Sequence, residues 1–189
     1  MNIATKLRVG DVVRFHIVRT ARQQTLAEHH HRLWLIVCEL IKRLQLAGYC
    51  AGAEEYALTH DMAEILTGDL PTPFKRALER FAASPTLFAD LEKRYYDEST
   101  YHIIAQTPAW YVCKIADCIE GWHFLTVEGL GRHAADVRQQ LEFRARKYAG
   151  EAARHFAENG SGDVAIAPWQ AVTQTLMSDI VNLPVEHAT

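Results

Sequence analysis

Residues 60–75 read His60-Asp61-Met62-Ala63-Glu64-Ile65-Leu66-Thr67-Gly68-Asp69-Leu70-Pro71-Thr72-Pro73-Phe74-Lys75. Tyr56, Ala57, Leu58, Ala63, Ile65 and Leu66 recur at helical spacing, so a helix is expected over Ala53–Thr67, ended by Gly68 and the turn at Pro71 and Pro73. His60 and Asp61 leave the same turn of that helix and can reach one metal ion, while Glu64 follows one turn on along the His60 face. Alone, a His-Asp pair is more often a capped or solvated surface pair. The rest of the chain is what gives it company.

Upstream, Leu33, Ile36, Val37, Leu40, Ile41 and Leu44 mark a helix over Thr25–Leu46 that Gly48 would stop, with Glu28 and His29 in its first turns. Downstream, helices are expected at Pro73–Ala82, Ser84–Tyr96, Pro108–Val127, Arg132–Glu158 and Pro168–Asn182, and no segment alternates long enough for a strand. Between Arg132 and Arg154 only Val137, Leu141, Phe143 and Tyr148 form a thin apolar stripe, which reads as a long peripheral helix. Asn159–Asp163 is a loop, after which Trp169, Val172, Leu176 and Ile180 should pack back onto the body. The expectation is one all-α helical bundle over residues 1–189, with a motif core at about 14–127 and a helical tail at about 132–182.

At 189 residues, 49% hydrophobic and 23% charged, the chain can bury a core that needs no staple, so a metal bound here would be functional. The net charge of −3 argues against a nucleic-acid binder. Cys38, Cys50, Cys113 and Cys118 form no CxxC pair, no signal peptide is apparent, and the longest apolar stretches fall short of the roughly 20 residues a membrane span needs. A cytoplasmic protein with free thiols is expected.

Asp117 is an acid among apolar neighbours, Val112, Ile119 and Trp122, and a carboxylate there needs an ion pair with Lys114 or an arginine, or a cation. With His29, His60 and Asp61 it makes a set of two imidazoles and two carboxylates suited to Zn, Co, Mn, Ni or Mg. Consecutive helical residues point about 100° apart, so of His29, His30 and His31 only one is expected to ligate. His29 shares its face with Leu33 and Leu40 and is preferred over His30. His16, His102, His123, His133, His155 and His187 read as ordinary, and Trp110, Tyr111, Trp122 and Phe124 as core or subunit interface.

His, then His-Asp, then Asp on successive helices resembles the HD-domain metal phosphohydrolases. Arg14-Phe15, Arg22, Glu28-His29 and the run from His60 to Lys75 resemble more specifically the bacterial 5'-deoxynucleotidases and small phage relatives that hydrolyse dATP to deoxyadenosine and triphosphate. The resemblance implies metal ligation by His29, His60, Asp61 and Asp117 and catalytic acids at Glu64 and Asp69. Glu64 would orient or deprotonate the attacking water, and Asp69 would give a proton to the departing 5' oxygen. Arg14 and Phe15 stand where the family carries an Arg-Trp pair walling the sugar; Phe keeps the apolar wall and loses the indole N–H. Lys75, Lys114 and Arg19 are available to phosphate oxygens, and Ile17 and Pro73 to the base.

The activity implied is metal-dependent hydrolysis of the 5' phosphoester of 2'-deoxynucleotides, leaning towards a dATP triphosphohydrolase, with a deoxynucleoside monophosphate 5'-nucleotidase as the alternative. A homo-oligomer, dimer or larger ring, is implied too. A regulatory nucleotide-binding module with a decayed site would lack a ligand or an acid, and none is missing. Cyclic-dinucleotide hydrolysis lacks its Gly-Tyr-Pro signature here.

Overall fold

The computed structural model describes residues 3–87, 90, 103–160 and 162–182. After a short helix α1 (Ile3–Lys6), two minimal strands, β1 (Val13–Arg14) and β2 (Gln24–Thr25), pair antiparallel with Val13 opposite Thr25 and Arg14 opposite Gln24. They were not expected, because two residues are too few for alternation to show.

Helix α2 (Leu26–Leu44) starts where the Thr25 hydroxyl accepts the Glu28 N–H at 3.2 Å. It ends at Gln45, which takes the left-handed conformation at φ 58°, with Leu46 fully buried behind it. Gly48, the expected stop, lies three residues further on in a 3-10 turn, Ala47–Tyr49.

The expected helix over Ala53–Thr67 is broken. α3 (Ala53–Thr59) and α4 (Glu64–Thr67) flank His60–Ala63, whose turns close with i to i+3 bonds, Met62 N–H to Thr59 O and Glu64 N–H to Asp61 O. α5 (Thr72–Phe81) follows, and the expected helix at Ser84–Tyr96 lies mostly outside the described residues.

Helix α6 (Pro108–Glu128) begins with Pro108 after Thr107, whose hydroxyl accepts the Trp110 N–H at 3.3 Å. It is apolar on nearly every face, as a central helix must be, and buries Tyr111, Val112, Ile115, Ile119 and Phe124 between α2 and α7 (Gly131–Asn159). α7 is not peripheral as its thin stripe suggested. It packs along α6 through Ala134, Ala145, Ala149, Ala152 and Phe156, small side chains that bring two helices close, while Phe143 stays exposed. After α8 (Asp163–Ile166), α9 (Trp169–Asn182) returns as expected, seating Trp169 and Leu176 in the core. The fold is all-α.

Candidate functional site

The break at His60–Ala63 brings the site together. Asp61 Oδ2 lies 3.1 Å from His60 Nε2 and 3.7 Å from His29 Nε2, and Asp117 Oδ1 is 3.7 Å from the same His29 nitrogen. α2, the turn after α3, and α6 thus each deliver part of one cluster. Potential ligand atoms of His29, His60 and Asp117 all lie within 4.8 Å of one another, as do those of His30, His60 and Asp61. Burial opposes ionisation of Asp61, but His60 in contact, with His29 and Arg14 nearby, holds its carboxyl well below the usual carboxylate range.

Asp117 itself is only partly covered and faces the cleft. The deeply buried acid of α6 is Glu120, one turn on, which sequence reading missed. Its carboxylate accepts His29 Nδ1 at 2.7 Å, Gln24 Nε2 at 2.5 Å and Arg14 Nη1 at 3.1 Å. Burial pushes its pKa up against the pull of Arg14 and Gln24. An acid on an all-apolar helix face was the available signal, and it was read at Asp117 alone. With Nδ1 committed to Glu120, His29 turns Nε2 towards Asp61 and Asp117, buried and without a hydrogen-bond partner among the described residues. An imidazole nitrogen so held between two carboxylates fits a divalent cation.

His30 is buried as well as His29, at 3% and 0% exposure, because α2 sits against both α3 and α6, so two faces about 100° apart are covered. Its ring centroid is 5.3 Å from that of His60, and burial with the neighbouring His60 lowers its pKa to about 3.

Glu64 Oε1 accepts Lys75 Nζ at 3.1 Å while Oε2 is buried without a hydrogen-bond partner among the described residues. Burial and the charges of Asp61 and Asp69 push its pKa up to about 8, against Lys75. Gly68 ends α4 at φ 72°, and Asp69 beyond it accepts the Phe15 N–H at 3.2 Å. The Phe15 ring stacks on Phe124, 5.5 Å between centroids, with the Arg14 guanidinium 5.1 Å from its centre.

His60, Asp61, Glu64, Asp69 and Asp117 line a cleft of about 1370 Å³. Arg14, Phe15, Ile17, Pro73, Lys75 and Lys114 all reach it. Arg19 does not: it is exposed elsewhere, and its carbonyl accepts the Leu130 N–H. Arg76 and Arg80 of α5 and His133 and Arg144 of α7 line the cleft unforeseen, since their place depends on how the helices pack.

Comparison with known proteins agrees with this geometry. Residues 3–120 match the family described as 5'-deoxynucleotidase YfbR-like. A dATP triphosphohydrolase of cyanophage S-2L is 36% identical over 138 residues, 72% of this chain and 76% of that protein. A 5'-deoxynucleotidase of Klebsiella pneumoniae (strain 342) is 29% identical over 60% of this chain and 68% of its own. Among solved structures, the cyanophage S-2L HD phosphohydrolase DatZ, bound to dA and one catalytic Zn2+ ion, superposes with a TM-score of 0.68 at 28% identity over 96% of both chains. A chain whose turn, helices and buried acids converge in this way, matched over residues 3–120, belongs to the 5'-deoxynucleotidase YfbR-like family of HD-domain proteins.

Proposed function

We propose that the protein is a metal-dependent hydrolase of the 5' phosphoester of 2'-deoxynucleotides, converting dATP to deoxyadenosine and triphosphate. The observation that carries this reading is the convergence of His29, His60, Asp61 and Asp117 beside a broad cleft lined by Lys75, Arg76, Arg80, Lys114 and Arg144. Cations spread along such a cleft suit a chain of phosphates better than a single one. The names of the phage relatives point the same way.

His29, His60, Asp61 and Asp117 are the ligands of a divalent cation, for which Zn is the first choice among Co, Mn, Ni and Mg because two imidazoles share the set. When bound, the cation supplies Lewis-acid polarisation of the α-phosphate. Glu120 is a positioning residue that fixes the His29 tautomer and draws in Arg14. With a cation's charge beside it favouring the ionised form over the protonated one, Glu64 takes the proton of the attacking water, the bond from phosphorus to the 5' oxygen breaks, and Asp69 delivers a proton to that oxygen. Phe15, backed by Phe124, walls the sugar, with Ile17 and Pro73 towards the base and Lys75 and Lys114 on the phosphates. Neither a nucleic acid nor a membrane is a partner in this reading, and no described helix is long and apolar enough to cross one. The unit spans residues 1–189, works as a homo-oligomer, a dimer or larger ring, and resides in a cytoplasm that keeps its four free thiols reduced.

The test is incubation with Co, Mn, Zn or Mg and each of dATP, dAMP, ATP and AMP, with chromatography of the products. Deoxyadenosine with triphosphate from dATP is expected, and Asp61→Ala should lose both turnover and metal. Phosphate released from dAMP alone would make the protein a 5'-nucleotidase. Turnover of no deoxynucleotide of any base would overturn the reading.

A further inference from the structure

His30 is a buried polar group that the reaction above leaves unused. It is 3% exposed, and its Nε2 has no hydrogen-bond partner among the described residues. A buried polar atom left unpaired needs a reason, since an apolar side chain would pack there without the penalty. The surroundings suggest one. The His30 ring lies 5.3 Å from His60 and 5.7 Å from His29, centroid to centroid. Its donor atom belongs with those of His60 and Asp61 to a group lying within 4.8 Å of one another, and His60 also belongs to the group formed with His29 and Asp117. Two donor triads therefore share one imidazole.

We propose that His30 is a third imidazole ligand of the cation, joining His29, His60, Asp61 and Asp117. The inference rests on the metal centre of the preceding section. A centre with three imidazoles favours Zn, Co or Ni over Mg and Mn, which prefer all-oxygen surroundings. It also explains why α2 turns two consecutive histidines inward at the corner between α3 and α6.

The test uses the wild-type protein first. X-ray absorption of the Zn-loaded enzyme should count three imidazoles per ion; a count of two would overturn the assignment of His30. In a second measurement His30→Gln, which keeps a neutral polar side chain of similar reach, should weaken Co2+ binding by about tenfold or more, a loss that even supporting partners of metal ligands can cause. It should also change the visible absorption of the Co2+-loaded protein. Unchanged affinity and spectrum would again overturn the proposal. Should wild-type protein take up no cation and behave like Asp61→Ala, the centre itself fails, and that outcome is distinct from a two-imidazole count in a loaded protein.

Discussion

Phe15 holds a left-handed backbone conformation at φ 59°, which a bulky residue adopts at a cost of about 1 kcal/mol or more. Its ring is gripped between Arg14 and Phe124, and its N–H is spent on Asp69, so the surrounding contacts impose the strain. Glu64 is out of its ordinary state in a different sense. Its pKa, raised from 4.5 to about 8, means that the folded metal-free chain keeps a proton that the unfolded chain releases above about 4.5. That contribution to stability is complete below the unfolded value and is lost as pH rises towards 8. Glu64→Gln should flatten this loss in urea titrations of metal-free protein across that window. The same variant should retain its metal, read by elemental analysis, while turnover of dATP falls by about 10²- to 10⁴-fold. Undiminished turnover would remove Glu64 from the chemistry.

At the scale of elements, the crossing of α6 and α7 decides where Phe15 stands. A Cβ built on Gly121 would lie 3.1 Å from Leu141 Cδ1 and 3.5 Å from Phe15 Cζ, so the helix and the sugar wall close on a position with no side chain. Gly121→Val should cost about 1–3 kcal/mol by overpacking and raise the KM for deoxynucleotides as Phe15 is displaced, read by denaturant unfolding and steady-state kinetics. The sequence showed α2, α6 and α9 through their periodicity, because each buries a broad apolar face. It misled at α7, where the buried stripe is alanine, a residue that says little about burial when read alone. It misled also at Ala53–Thr67, where periodicity continues across a break. His60, Asp61 and Asp117 were legible because their side chains are out of keeping with their neighbours. Gln24 was not, and Glu120, an acid on the same apolar helix, was passed over, since what sets each apart is a partner some 90 residues away or more.

For the molecule as a whole, the cleft gathers arginines from α5 and α7 around chemistry carried by α2, α4 and α6. Arg144 is half-buried there. Arg144→Ser should raise the KM for dATP by about tenfold, the worth of one charge-assisted contact, and leave that for dAMP within about twofold. Equal effects on both substrates would place Arg144 away from the outer phosphates. The broken helix has a different consequence. Joining α3 to α4 as one regular helix would be an obvious repair to anyone engineering for heat resistance, since it would recover ordinary i to i+4 pairing. It would also rotate His60 and Asp61 out of register with His29, so the repaired protein should be sturdier and inert, and a stabilisation campaign on this scaffold should leave residues 60–63 untouched.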